Sequence, residues 1–335
     1  MGRLKLYSSE DLIAITNIRQ GETKLGEKMK TLASIKLLPD SACRFVLIGL
    51  PEDVGIKANF GKQGSRNAWP EALQALVNIQ STDRLGGDEI LVLGHIDFTE
   101  EMDRAEQLDP GKVAELEYLR KIVSEIDEQV FDILLQIITA GKVPLLIGGG
   151  HNNSYPALQA LSAFHKGSVN CINIDAHADF RALEGRHSGN GFSYALRNGF
   201  LNRYAVLGLH ENYNPQSVIN ELLSLKKQVL FSFLDDYLRE HTSFDRAFQE
   251  ALNFTHGNRG LEIDMDSVSG ALSSAASPSG FTLEQVREMI SMTKNQKFSY
   301  LHIAEAVFKM ADGTENKLCG KAIAFLVSDF IKAQA

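Results

Sequence analysis

Val169–Arg181 reads VNCINIDAHADFR, an apolar run that breaks into Asp175, His177 and Asp179 at strict two-residue spacing. If the backbone stays extended, that spacing sets all three side chains on one face. Two carboxylates and an imidazole gathered after a buried run repel or desolvate one another unless something cationic lies between them. The stretch therefore predicts a strand that ends in a site.

Seven other runs resemble its first half: CRFVLIGL from Cys43, EILVLGHI from Glu89, VPLLIGGG from Val143, RYAVLGLH from Arg203, QVLFSFLD from Gln228, RGLEIDMD from Arg259 and SYLHIAEA from Ser299. Near-continuous apolar runs of this length suit strands buried on both faces. Segments of helical periodicity separate most of them, including one from Glu71, a long one from Lys112 and one opened by Thr282 as a cap with Gln285 three residues on. Strands alternating with helices predict an α/β fold, a mostly parallel sheet covered on both sides. With no Pro/Gly/Ser-rich linker and no repeat, one domain is expected over residues 41–335, with residues 1–40 a helical leader packed on it. The small residues of GALSSAASPSGF from Gly270 suit a tight loop near a site.

The chain has 335 residues, 44% of them hydrophobic, and a formal net charge of -8, which argues against nucleic acid or an anionic membrane as partner. A small-molecule ligand is expected. No apolar stretch reaches the roughly 18 residues of a membrane span, and the first residues lack the pattern of a secretory signal. Cys43, Cys171 and Cys319 are odd in number, far apart and outside any CxxC pair, so neither a disulfide framework nor a thiolate zinc site is suggested. The expected compartment is the cytoplasm.

Polar residues cluster where the apolar runs end. His151 follows LLIGGG, Asp264 and Asp266 close RGLEIDMD, and Glu305 follows YLHIA. In open parallel sheets ligands bind beyond the carboxyl ends of the strands, so these residues join Asp175, His177 and Asp179 at one edge. GGGH alone is an ordinary strand exit and does not complete a GxGxxG phosphate fingerprint. Together the carboxylates and imidazoles exceed what one tetrahedral zinc uses. Two divalent ions sharing carboxylates fit better, and oxygen-rich ligation with some imidazole favours manganese or a similar hard ion. Such a pair, roughly 3.5–4 Å apart, yields hydroxide from water at neutral pH. Hydrolysis is the expected chemistry.

GGGH (Gly148 to His151), DAHAD (Asp175 to Asp179), DMD (Asp264 to Asp266) and Glu305, in this order, resemble the arginase, agmatinase and formimidoylglutamase family, the ureohydrolases. The segment from Gly55 to Leu73 is similar to that family's first active-site loop and helix. The resemblance implies a three-layer α/β/α fold around an eight-stranded, mainly parallel sheet, and a homo-oligomer. It implies two Mn2+ per chain, one held by His151, Asp175, Asp179 and Asp264, the other by His177, Asp175, Asp264 and Asp266. It also implies that Asp179 hydrogen-bonds the bridging hydroxide and that Glu305 pairs with the nitrogens of a cationic substrate.

Arginases carry a histidine where this chain has Phe192, GGDH where it has Gly150, and asparagine where it has Arg181. Those features, with HSGNGF and the GLHENYN segment ending at Asn214, look instead like the formimidoylglutamases. N-formimidoylglutamate carries two carboxylates, which suit guanidinium forks. Arg181 and Arg186 are therefore candidates to read them. Ser188, Asn190 and Asn214 are further substrate-contact candidates, and His187 is a replacement for the missing proton shuttle. The competing expectations are a ureohydrolase acting on arginine, agmatine or guanidinobutyrate, and a metal-binding protein without turnover.

Overall fold

The computed structural model describes residues 3–310 and 312–335; Met1 and Gly2, the start of the expected leader, lie outside them. All eight apolar runs form strands: β2 Phe45–Gly49, β3 Ile90–Ile96, β4 Val143–Ile147, β5 Val169–Ile174, β6 Leu201–Leu209, β7 Val229–Phe233, β8 Arg259–Asp264 and β9 Tyr300–Ala304. A ninth, β1 at Leu4–Leu6, pairs antiparallel with β3. The sheet order is β1-β3-β2-β4-β9-β8-β5-β6-β7, and every pair except β1–β3 is parallel. The expected eight strands thus become nine. The first forty residues are also less helical than their sequence suggests: besides β1 they hold one six-residue helix, Ser9–Ala14, and the 3₁₀ turns Leu25–Glu27 and Ile35–Asp40.

Alternation along each strand builds two apolar layers. Leu47, Leu145, Ile172, Leu261 and Leu301 pack with Trp69, Leu76 and Phe330 on one face. Val46, Leu146, Cys171 and Tyr300 pack with Ile126, Val130 and Leu158 on the other. Fully burying one such aliphatic side chain contributes about 1.5–3 kcal/mol, so both faces drive the strands into the centre. The long helix runs over Val113–Thr139, and Leu283–Ser291 begins with the capping box expected of Thr282 and Gln285. No helix among the described residues is long and apolar enough to cross a membrane.

β4 and β5 are consecutive in sequence, yet β9 and β8 lie between them. The four central strands β4, β9, β8 and β5 therefore bring their carboxyl ends side by side, and at or just beyond each end stands at least one His, Asp or Glu.

Candidate metal centre

Each ligand candidate sits where a strand gives out. After β4 the backbone turns through Gly148 and Gly149 at φ 89° and 74°, a region that costs residues with a Cβ. A Cβ on Gly149 would also lie 2.5 Å from Asn153 Nδ2. That turn delivers His151 to the 3₁₀ turn His151–Asn153. Glu52 fastens it from behind, accepting from the Gly150 N–H (3.1 Å), Asn152 Nδ2 (3.1 Å) and Asn153 Nδ2 (2.7 Å).

The DAHAD segment departs from the extended face its spacing suggests. β5 ends at Ile174, and Asp175 to Asp179 run as a loop in which Asp175 Oδ1 accepts from the His177 N–H at 2.7 Å and Asp179 adopts a left-handed φ of 46°. The three side chains converge because the loop folds back. Asn214 clamps it, accepting from the Ala178 N–H at 2.9 Å and donating to the Ala176 carbonyl at 3.0 Å. At the end of β8, Asp264 Oδ1 accepts from the Asp266 N–H at 2.7 Å. After β9, Glu305 takes φ 61° and accepts from the His151 N–H at 2.8 Å. Positive φ at two non-glycine residues of one site is strain that the surrounding contacts hold in place.

The result is one cluster. His151 Nδ1 lies 2.9 Å from Asp179, 3.1 Å from Asp264 and 3.2 Å from Asp175. One ligand atom from each of these four residues falls within 4.8 Å of all the others. His177 Nδ1 lies 3.4 Å from Asp266 and 3.7 Å from Asp175, and its ring stacks on Tyr213. Asp175 thus reaches both histidines.

The electrostatics ask for positive charge. Among the described residues no lysine or arginine forms an ion pair with Asp175, Asp179, Asp264, Asp266 or Glu305. Burial pushes Asp264 well above the carboxylate range, reinforced by Asp266 and Asp175. Burial works against charge on His177 too, yet Asp266 lifts it to about 10. Glu305 rises to about 8 through burial and Asp266, against the pull of Ser274 beside it. A cluster of five carboxylates that can balance itself only by taking up protons is a donor set for divalent cations. The residues fit the metal that the resemblance implies.

The cluster opens into a cavity of about 570 Å³, reached by His177, Asp179, Asp264, Asp266 and Glu305. Arg181, Ser188 and Asn214 line it as expected, and so does Asn59, from the Gly55–Leu73 segment likened to the family's first active-site loop and helix. Asn59 accepts from Arg181 Nη1 at 3.1 Å and donates to Ser188 Oγ at 3.3 Å, joining two walls. Ala275, in the small-residue loop, also lines the cavity and donates its N–H to Asp266 at 3.3 Å.

Three expectations need correction. His187 is not placed to shuttle protons: its side chain is fully buried, Nδ1 accepts from the Gly189 N–H at 3.2 Å, and Nε2 lies 3.2 Å from Glu184. Burial, with Arg120, Arg181 and Arg186 around it, pushes the ring down to about 2, so it stays neutral. Asn190 is fully buried and spends its amide inside its own loop, on Arg186, the His187 N–H and the Ala182 and Gly185 carbonyls. Arg186 is buried against Asp127 at 2.9 Å, between the rings of Tyr155 and Tyr194, rather than facing a substrate. Phe192, at the arginase histidine position, packs edge-on against His151 at 5.2 Å and stacks on Tyr204.

Sequence reading also missed two carboxylates. Glu52 follows β2 in an unremarked LPED. Glu262 sits inside the apolar RGLEID, where a charged residue in a strand buried on both faces was the available signal.

The family-level comparison agrees with this geometry. The chain matches the Arginase family over residues 43–323. It is 27% identical over 287 residues to the formimidoylglutamase of Macrococcus caseolyticus (strain JCSC5402), covering 84% of this chain and 83% of that one. The structure of Trypanosoma cruzi formiminoglutamase with Mn2+ superposes with a TM-score of 0.71 at 18% identity, over 93% of this chain and 98% of that one. Formimidoylglutamase from Bacillus subtilis subsp. subtilis str. 168 superposes with a TM-score of 0.72 at 20% identity, over 94% and 93%. With its sheet order, its strand-end carboxylates and a match spanning most of its length, the chain belongs to the arginase family.

Proposed function

We propose that this arginase-family hydrolase of carbon–nitrogen bonds in linear amidines acts on N-formimidoyl-L-glutamate, releasing L-glutamate and formamide, with two Mn2+ ions per chain. The observation that carries the reading is a cluster of five carboxylates and two imidazoles opening into a cavity that Arg181 lines. The names of the relatives, and the Mn2+ in the Trypanosoma cruzi structure, support it. His151, Asp175, Asp179 and Asp264 would hold one ion, and His177, Asp175, Asp264 and Asp266 the other. Bound there, the pair supplies an activated water as nucleophile at neutral pH.

The chain's own residues do the rest. Glu305, which lines the cavity, offers its carboxylate to an N–H of the cationic formimino group and so holds the electrophilic carbon over the cluster. Asp179 accepts the proton of the attacking water and returns it to the nitrogen that departs with glutamate. The carbon–oxygen bond forms, the carbon–nitrogen bond breaks as that proton reaches the departing nitrogen, and the remaining hydroxyl proton follows to the amine, so formamide and the ammonium form of glutamate leave. Arg181 pairs with a substrate carboxylate, Ser188 flanks it, and Asn214 shapes the wall by clamping the ligand loop. The same reading makes residues 41–335 one catalytic domain and residues 1–40 its leader, supported by one continuous sheet that takes in β1 of the leader as its edge strand.

The test is a panel of N-formimidoylglutamate, arginine, agmatine and guanidinobutyrate with Mn2+-loaded protein, scored for formamide and urea. Formamide from the first substrate with no comparable urea supports the reading. Urea released from a guanidino compound at equal kcat/KM overturns the substrate and leaves the family intact.

A further inference from the structure

Beneath the ligand layer runs a second row of polar side chains, outside the lining of the cavity that the cluster opens into. In the sheet register Glu262 of β8 stands beside Asn173 of β5 and His302 of β9. All three are fully buried. Glu262 accepts from the Tyr300 hydroxyl at 2.7 Å and pairs with His302 Nδ1 at 2.6 Å, while His302 Nε2 lies 3.2 Å from the Gly148 carbonyl. One imidazole therefore ties Glu262 to the loop that carries His151.

His151 sits directly above. Phe192 meets its ring edge-on at 5.2 Å and His302 stands 5.9 Å away, which fixes the plane of the imidazole. Its Nδ1 edge faces the carboxylate cluster. Its Nε2 edge faces the other way, is buried without a hydrogen bond, and lies 3.4 Å from Glu262 Oε2. A buried carboxylate is a poor choice for stability alone, since well-packed apolar residues in such positions are often neutral or better. Its geometry gives it a different task.

We propose that Glu262, braced by Tyr300 and His302, is the positioning group for His151: it holds the proton on Nε2 and so leaves the Nδ1 lone pair aimed at the carboxylate cluster. This rests on the reading of His151 as a metal ligand. A ligating imidazole commonly gives its other N–H to a carboxylate, which sets the tautomer and raises basicity, and losing that partner typically costs 10–100-fold in metal affinity. Glu262 does not line the cavity, so it acts through His151.

The experiment is a Mn2+ titration of chelator-stripped full-length chain, read by the EPR signal of free aqueous Mn2+, with circular dichroism confirming the fold. Glu262→Gln is expected to weaken one of the two sites by about 10–100-fold and to leave the other, built on His177, near its wild-type affinity. At saturating Mn2+ its KM for N-formimidoylglutamate should match wild type, whereas a general loosening of the fold would weaken both sites and raise KM. If Glu262→Gln does not fold, Tyr300→Phe carries the test, since it keeps the carboxylate and its bond to His302 and should show a smaller loss at the same site. A wild-type chain that binds a single ion overturns the binuclear reading, and the proposal then demands the same loss at that one site. Folded Glu262→Gln with wild-type affinity at every site, or with equal weakening at both, overturns the proposal.

Discussion

Replacing Arg186 by methionine separates a structural cation from a substrate-reading one. Arg186 Nε donates to Asp127 at 2.9 Å, Nη2 donates to the Asn152 carbonyl at 2.8 Å, and Nη1 donates to Asn190. The two charged side chains are only 5% and 6% exposed. Methionine fills much of the volume but strands the Asp127 carboxyl and removes one of the donors to the Asn152 carbonyl and to Asn190 Oδ1. Breaking a buried pair from one side costs about 3–5 kcal/mol, and for a chain of this size roughly 2 °C of thermal midpoint follows each kcal/mol. A fall of about 5–10 °C is expected by scanning calorimetry.

The pH dependence carries a definite sign. Burial lifts Asp127 to about 6 even against the pull of Arg186. A carboxyl raised in the folded state gives stability that is complete below its unfolded pKa, near 3.8, and lost as pH rises through 6. Without Arg186 the folded value climbs further, so the loss continues beyond pH 6. The deficit of Arg186→Met against wild type should therefore widen between pH 6 and 8. Adding Asp127→Asn removes the stranded charge and should recover about half of the lost stability, a coupling that a double-mutant cycle measures directly. If Arg186→Met instead keeps its thermal midpoint while kcat/KM collapses, Arg186 reads substrate and the buried-pair reasoning is wrong.

Asp264→Ala should bring activity to background and leave fewer than two Mn2+ per chain by elemental analysis, because this carboxylate faces His151 and also fixes Asp266. Arg181→Ala should lower kcat/KM on N-formimidoylglutamate about 10–100-fold, the value of a charge-assisted hydrogen bond of roughly 1.5–3 kcal/mol, with Arg181→Lys recovering part; unchanged kinetics would make Arg181 a bystander. His187, pushed down to about 2 by burial, gives stability that is present above its unfolded pKa of 6.5 and lost as pH falls. From pH 6.5 to 5 that loss is about 2 kcal/mol, so His187→Gln should show a flatter acid limb in denaturant titrations, and an identical limb would contradict it.

The eight parallel strands and the edge where the ligand candidates gather could be read from sequence because their cause is local. A strand covered by helices on both faces must be apolar at nearly every position, so CRFVLIGL or VNCINIDA declares itself. Where such a run ends in His, Asp or Glu, the residue falls at the carboxyl end of a strand, and that is where this fold gathers His151, Asp175, His177, Asp179, Asp264, Asp266 and Glu305. Strand β1 gave no such signal, since an edge strand of three residues is too short for a pattern.

The destinations of the remaining polar residues were decided by tertiary structure. Arg181, Arg186, His187 and Asn190 lie within ten residues, yet only Arg181 of the four lines the cavity. Arg186 turns inward because Asp127, 59 positions earlier on the long helix, waits there. Glu262 meets His302 only because β8 and β9 pair in one register, 40 residues apart. Periodicity records which face of an element is buried. It holds no record of the partner that a buried charge requires, because desolvation can be offset by any suitable group the fold brings near, from anywhere along the chain.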